Sequence, residues 1–191
     1  MSRYEKLFAR GEGAFVPFIM LSDPTPEDAV EIVAAVVEAG ADAVELGVPF
    51  SDPVADGPAI QGAHVRALAG GATVDKALAQ IRTIRERYPD LPIGMLIYGN
   101  VAHARGLERF YREFKEAGAD SVLLPDVPVR ESAPFSAAAA AAGRAASSAA
   151  TGAASPMAWR KKADWAVLRA WAAPPAWGGK AGRSDEIADM A

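Results

Sequence analysis

One five-residue segment occurs twice in the chain, and it constrains the fold more than any other feature. Glu38-Ala39-Gly40-Ala41-Asp42 returns as Glu116-Ala117-Gly118-Ala119-Asp120, 78 residues later. Each copy follows a stretch with helical apolar spacing and precedes a run of aliphatic residues, so each marks a helix end that feeds a strand. Two β-α units fit between the copies, an average of about 39 residues per unit. Strands separated by helices imply a parallel sheet.

The remaining elements follow from periodicity. Residues 14–21, Ala-Phe-Val-Pro-Phe-Ile-Met-Leu, form a continuous apolar run closed by Ser22-Asp23-Pro24, the pattern of a strand buried on both faces. Thr25 is a helix N-cap with Pro26 behind it; Val30, Val33 and Val37 recur at helical spacing, and Gly40 closes the helix. Residues 42–48, 91–97 and 121–124 read as strands. Residues 73–88 read as a helix with Val74, Leu78, Ile81 and Ile84 on one face, and 107–117 as a helix with Leu107, Phe110, Tyr111 and Phe114 on one face. A short helix is expected around 5–8, packed across the bottom of the sheet. This pattern predicts the α/β class and a (β/α)8 barrel of which only about the first four β-α units are present, because eight units need about 250 residues. A doubly wound open sheet is the alternative, although no Gly-x-Gly-x-x-Gly turn follows the first strand.

Composition supplies the reason for counting four units. Residues 1–135 hold 13 Lys+Arg against 20 Asp+Glu, whereas 136–191 hold 7 against 4. Val, Ile, Leu and Phe number 38 in the first part, and only Val167, Leu168 and Ile187 follow it. The reading is therefore an N-terminal half-barrel over 1–143 and a low-complexity tail over 144–191, Ala-rich, irregular or partly helical, and poorly ordered. The Ala-rich stretch 136–150 is expected to form a helix in place of the fourth barrel helix.

In the second strand Val44, Leu46 and Val48 alternate with Ala43, Glu45 and Gly47, which puts Glu45 between two small residues on the face opposite the bulky ones. In a barrel that face is the interior. Burial there raises a carboxyl pKa and suits it to proton transfer near neutral pH; the other role open to Glu45 is a wet position on an edge strand. A turn-rich loop follows, with Pro49, Asp52, Pro53, Asp56 and Pro58. Its aspartates read either as a second reactive carboxylate or as Asx-turn residues. Two histidines and no cysteine give no metal site.

At this loop the residues 44–58, Val-Glu-Leu-Gly-Val-Pro-Phe-Ser-Asp-Pro-Val-Ala-Asp-Gly-Pro, resemble the signature of the tryptophan synthase α chain. The segments 13–18, 92–100 and 126–135 and the Asp23-Pro24 turn resemble that family in the same order, so the resemblance covers about 1–143. It implies a lyase of tryptophan biosynthesis that cleaves indole-3-glycerol phosphate to indole and glyceraldehyde 3-phosphate. It also implies a β subunit as partner in an α2β2 complex. The chain itself is expected to need no cofactor, since pyridoxal phosphate belongs to that β subunit. Position by position, Glu45 matches the general acid/base, and Asp56 the carboxylate that stabilises the positive indole nitrogen. Phe18, Ile60, Leu96 and Leu123 match the indole pocket, where ordinary barrel core is the competing role. Pro49, Asp52, Pro53, Asn100 and Pro128 match loops that approach the β subunit, and all five also suit turns. Pro125 replaces a usually small residue. His64 and His103 match no functional position, and a surface or helix role is expected for both.

Beyond residue 135 the family's expected features, a tyrosine near the glycerol portion, a threonine lid and phosphate-holding Gly/Ser loops, have no counterpart; Gly178-Gly179-Lys180 alone lacks the fuller pattern. Of the 48 residues in 144–191, 31 are Ala, Gly, Pro, Arg or Trp. GC-rich codons specify these residues in almost any frame, so a frameshift near residue 143 is the expected origin. Trp159, Trp165, Trp171 and Trp177 recur every six residues, which matches neither helix nor strand. The competing functional reading is a truncated or frameshifted half-barrel that lacks catalysis and at most binds the β subunit. A net charge of −4 and scattered tail cations argue against nucleic acid, and no run nears the roughly 20 apolar residues of a membrane span. With no signal-like apolar block after Met1, a cytoplasmic location is expected.

Overall fold

A computed structural model describes residues 1–143 and the backbone of 145–148. The elements are α1 (Arg3–Phe8), β1 (Phe18–Met20), α2 (Pro26–Glu38), β2 (Val44–Gly47), α3 (Pro58–Ala69), α4 (Val74–Arg87) and β3 (Ile93–Leu96). They continue with α5 (Gly99–Arg105), α6 (Leu107–Ala117), β4 (Ser121–Leu124), a 3-10 turn (Val129–Glu131), α7 (Ala133–Ala141) and β5 (Ala145–Ser148). All five strands are parallel and lie side by side in chain order.

The repeated pentapeptide performs the same task at both sites. Gly40 and Gly118 stand at φ 101° and 105°, where a residue with a Cβ is strained. The next N–H folds back into the helix, Ala41 onto Val36 O and Ala119 onto Phe114 O, each at 3.0 Å. The aspartate then clasps one residue before or at the start of the neighbouring strand, using its own backbone N–H and its carboxylate. Asp42 N–H donates to Phe15 O at 2.9 Å, and Phe15 N–H donates to Asp42 Oδ2 at 2.9 Å. Asp120 N–H donates to Ile93 O at 2.8 Å, and Ile93 N–H donates to Asp120 Oδ2 at 2.9 Å. The Phe15 N–H and the Arg10 guanidinium hold the Asp42 carboxyl below the usual carboxylate range.

Around Asp120 the clasp grows into a network under the sheet. Arg3 Nη1 donates to its Oδ1 at 2.9 Å and Arg85 Nη2 to its Oδ2 at 2.7 Å. Arg85 also donates to the carbonyls of Tyr88, Pro89, Leu91 and Gly118, which ties the end of α4 to the starts of β3 and β4. Through Arg3 the same network fastens α1 across the bottom of the sheet.

The register assigns every strand residue to a face. Phe18, Glu45, Gly94 and Ser121 lie abreast, as do Met20, Gly47, Leu96 and Leu123. Alternating with them, Ile19, Leu46, Met95 and Val122 turn to the other side, where Val33, Leu78, Ile81, Ile84, Phe110 and Phe114 complete a buried core beneath α2, α4, α6 and α7. The expected apolar faces of α4 and α6 are the buried ones.

Several expectations are corrected. The strand read over 14–21 is regular only over Phe18–Met20, although backbone bonds to β2 and its approach continue through Phe15 O, Pro17 O and Leu21 N–H; Pro17 has no N–H to donate. The strand starts are unevenly spaced, because the β2–β3 connection carries two helices, α3 and α4. Neither α3 nor α5 was assigned from periodicity. The Ala-rich stretch 136–150 is not one helix: α7 ends at Ala141, Gly143 takes φ 70°, and Ala145–Ser148 pairs with β4, so the edge that four strands would leave there is occupied. The remaining tail expectations, including the spaced tryptophans and the order of 149–191, lie outside the described residues.

Asp120 is 7% exposed at its side chain and serves two guanidiniums and a backbone N–H. Asp120→Ala leaves Arg85 and the Ile93 N–H without this acceptor, and a stability loss of about 3–5 kcal/mol is expected from urea unfolding of the full chain. Arg3→Ala, at a 31% exposed side chain, is expected to lose much less.

Candidate active site

Glycines make room on the inner face, and large side chains from elsewhere fill it. A Cβ on Gly47 would sit 2.6 Å from Phe18 Cζ, so the Phe18 ring lies across β2. A Cβ on Gly94 would sit 2.9 Å from Tyr4 Oη, which receives the Ser121 hydroxyl at 3.4 Å. Tyr4 is thus delivered from α1 into the layer that holds Glu45. Burial pushes the Tyr4 hydroxyl up to about 12, with the nearby Asp120 and Glu45 charges adding to the shift, and it stays protonated at neutral pH. Burial alone raises the Glu45 carboxyl above its ordinary range, the direction a proton-transfer group needs.

The mouth loop between β2 and α3 is tied at both ends. His64, 3% exposed on α3, accepts the Phe50 N–H at Nδ1 (2.9 Å) and lies 3.1 Å from Asp56 Oδ2 through Nε2. Tyr98, at the end of β3, donates its hydroxyl to the same Oδ2 at 2.8 Å and accepts the Ala55 N–H at 3.0 Å. The Phe50 ring stacks on Tyr98 with centroids 5.1 Å apart. Burial, together with the hydrogen bond to Asp56, pushes Tyr98 up to about 12 and keeps it a donor. Asp56 is therefore no Asx-turn residue: its carboxylate is gripped by two side chains from other elements.

The sequence-chosen residues span the height of the sheet, with Phe18 and Glu45 in the layer at the strand starts and Leu96 and Leu123 in the layer toward the strand ends. Phe18, Glu45, Leu96 and Leu123 share the inner face, and all are half-buried. Ile60 stands in the first turn of α3, half-buried. Pro49, Asp52 and Pro53 follow β2, Asn100 follows β3 and Pro128 follows β4, so all five lie beyond the C-terminal strand ends; Asp52, Asn100 and Pro128 are exposed. Sequence reasoning missed Tyr4, Tyr98 and the role of His64. The residue spacing of 42 between Tyr98 and Asp56 gives no periodic signal, and His64 lies eight residues from Asp56 across an irregular loop. Among the described residues no cluster of three metal-binding side chains occurs, and no helix is long and apolar enough to cross a membrane.

Parallel strands in chain order, wrapped by helices, with one carboxylate on the inner face of β2 and another in the loop after it, define a protein of the β/α-barrel class. Comparison with known proteins gives the family. A sequence model of the tryptophan synthase alpha chain matches residues 4–151. The tryptophan synthase alpha chain of Corynebacterium glutamicum (strain R) is 73% identical over 144 residues, covering 73% of this chain and 51% of its own length. That of Corynebacterium aurimucosum is 76% identical over 143 residues, covering 73% and 52%. The tryptophan synthase subunit alpha of Legionella pneumophila str. Paris superposes with a TM-score of 0.74 at 35% identity, over 76% of this chain and 57% of that one. A chain of the tryptophan synthase complex from Pyrococcus furiosus gives 0.68 at 34% identity, over 72% and 56%. The chain belongs to the tryptophan synthase alpha chain family, and its fold is the first part of that family's (β/α)8 barrel. It spans about half the length of the curated relatives it matches.

The raised Glu45 carboxyl gives a stability test with a definite sign. Folding favours its protonated form, so stability falls as pH rises from its ordinary value of 4.5 through the raised folded value, and the whole cost is present above that. Thermal unfolding across pH is expected to show Glu45→Gln more stable than the parent at neutral pH, the gain vanishing below the ordinary value. A gain that does not depend on pH contradicts the burial argument.

Proposed function

We propose that the chain carries the proton-transfer half of an indole-3-glycerol phosphate lyase site, with Glu45 and Asp56 as its reacting groups. The observation that carries the reading is a carboxyl raised by burial on the inner face of β2, Glu45, together with a second carboxylate in the loop that follows the same strand, Asp56, one oxygen of which meets the Tyr98 hydroxyl and the His64 ring. In the proposed step Glu45 delivers a proton to indole C3, which leaves positive charge on the indole nitrogen opposite Asp56. The Glu45 carboxylate so formed then takes the proton of a glycerol hydroxyl, whose oxygen becomes the aldehyde carbonyl, while the electrons of the breaking C–C bond restore the indole ring and remove the charge from its nitrogen. No redox partner is needed. Phe18, Ile60, Leu96 and Leu123 supply apolar walls for the ring. The loops carrying Pro49, Asp52, Pro53, Asn100 and Pro128 meet a β subunit in the cytoplasm.

Positioned acid/base groups contribute about 10²–10⁴ in rate. Indole release from indole-3-glycerol phosphate by the full chain is expected to fall at least about 100-fold in Glu45→Gln. Equal background rates in both reject catalysis. The half-length match and the missing phosphate loops favour one second reading, a non-catalytic half-barrel; co-elution with a β subunit without turnover supports it.

We further propose that 144–191 is out-of-frame translation joined to the half-barrel near residue 143. The composition break carries this reading. The coding DNA, read in the other two frames after codon 143, is expected to encode Gly/Ser phosphate loops; their absence from both frames rejects it.

A further inference from the structure

The buried imidazole of His64 takes no part in the proton transfers above, yet it connects both ends of the mouth loop. Its Nδ1 receives the Phe50 N–H at 2.9 Å, so Nδ1 carries a lone pair and no proton. A neutral ring then bears its proton on Nε2, 3.1 Å from Asp56 Oδ2. The ring has no freedom to flip this assignment, because an Nδ1–H would point at the Phe50 N–H and leave Nε2 as an acceptor facing a carboxylate oxygen. The Tyr98 hydroxyl converges on the same Oδ2 at 2.8 Å. With Oδ2 taken by two donors, Oδ1 is the oxygen of Asp56 for which no donor stands among the described residues. The carboxylate is thereby fixed about its terminal torsion, which is otherwise broad.

We propose that His64, through its Nε2–H tautomer, is a positioning residue that fixes Asp56 with Oδ1 presented to an N–H of the ligand. It also anchors the start of the loop through Phe50. This role rests on reading Asp56 as the carboxylate that meets the indole nitrogen. The test does not, since it needs no turnover: correct clamp spectra beside a failed cleavage assay count against the proposed function and leave the clamp standing.

The chain has only two histidines, so long-range ¹H–¹⁵N correlations of the uniformly ¹⁵N-labelled full chain resolve both rings. His64 is expected to show a protonated Nε2 and an unprotonated Nδ1, assigned by loss of its signals in His64→Gln. The Gln amide reaches the place of Nε2 and keeps a donor for Asp56, whereas His64→Ala removes it. The Asp56 ¹³Cγ resonance is therefore expected to hold its shift in His64→Gln and to move in His64→Ala. Tyr98→Phe, which removes the other donor, is expected to move it as well. An Nδ1–H tautomer in the parent chain overturns the proposal, and so does an Asp56 resonance unchanged in a folded His64→Ala. The tautomer is read on the parent chain, so a variant that fails to fold leaves a decisive measurement in place.

Discussion

The structure depends on a single kind of contact, an aspartate at the foot of a strand gripping the backbone of the strand beside it. Asp42 and Asp120 each present a backbone N–H and a side-chain oxygen to one neighbouring residue, Phe15 and Ile93. A two-point grip fixes register, and register in a sheet decides which face every side chain takes, since a slip of one residue exchanges the faces. Hydrogen bonds to a charged acceptor are worth about 1.5–3 kcal/mol each, enough to exclude the slipped pairing when the neighbouring carbonyl bond is lost with them. With register set, Ile19, Leu46, Met95 and Val122 meet the helices, and Phe18, Glu45, Leu96 and Leu123 are left for the interior.

The same end of the molecule that fixes register also shapes the environment of Glu45. Arg3 bonds to Asp120, so α1 lies across the strand feet and inserts Tyr4 over Gly94. Removing water from below the Glu45 layer raises its carboxyl, and a protonated tyrosine beside it adds no charge to oppose that. At the opposite end the logic reverses. Asp56 sits in an irregular loop, and irregular backbone has no ladder to position a side chain. His64 and Tyr98, both from regular elements, supply the missing constraint.

Legibility in the sequence follows the same division. Helical and strand periods exposed α2, α4, α6, β2 and β3, because one face of each is buried against a single partner layer. The pentapeptide marked its own junctions, since Gly40 and Gly118 must be left-handed. Glu45 was visible as a carboxylate among small inner-face residues. By contrast α3 has a weak apolar stripe, with Val65 and Leu68 exposed and His64 buried, so no period announced it. Tyr4, His64 and Tyr98 act by contacts across 117, 8 and 42 positions, and nothing in a one-dimensional pattern couples residues at such separations. The fifth strand was hidden by alanine, whose helix propensity outweighed the register that β4 offers to Ala145–Ser148.

Under the proposed function the chemistry and the anchoring of the ligand belong to different halves of the barrel. Proton transfer and charge stabilisation need Glu45 and Asp56, and each is fixed by residues within 1–143. Orientation of a phosphorylated ligand needs backbone N–H groups at loops after the last strands, because phosphate binds where helix N-termini and glycine turns converge. Binding energy at a remote phosphate is used to hold the reacting atoms in line, so its loss lowers the rate of the chemical step and not only the affinity. A chain with the proton-transfer groups but no phosphate loops is therefore expected to keep the raised Glu45 carboxyl and the hydrogen bonds on Asp56 while losing most of its rate. In such a chain the raised carboxyl of Glu45 and the clamp on Asp56 are the properties left for measurement, the first set by burial on the inner face and the second by His64 and Tyr98.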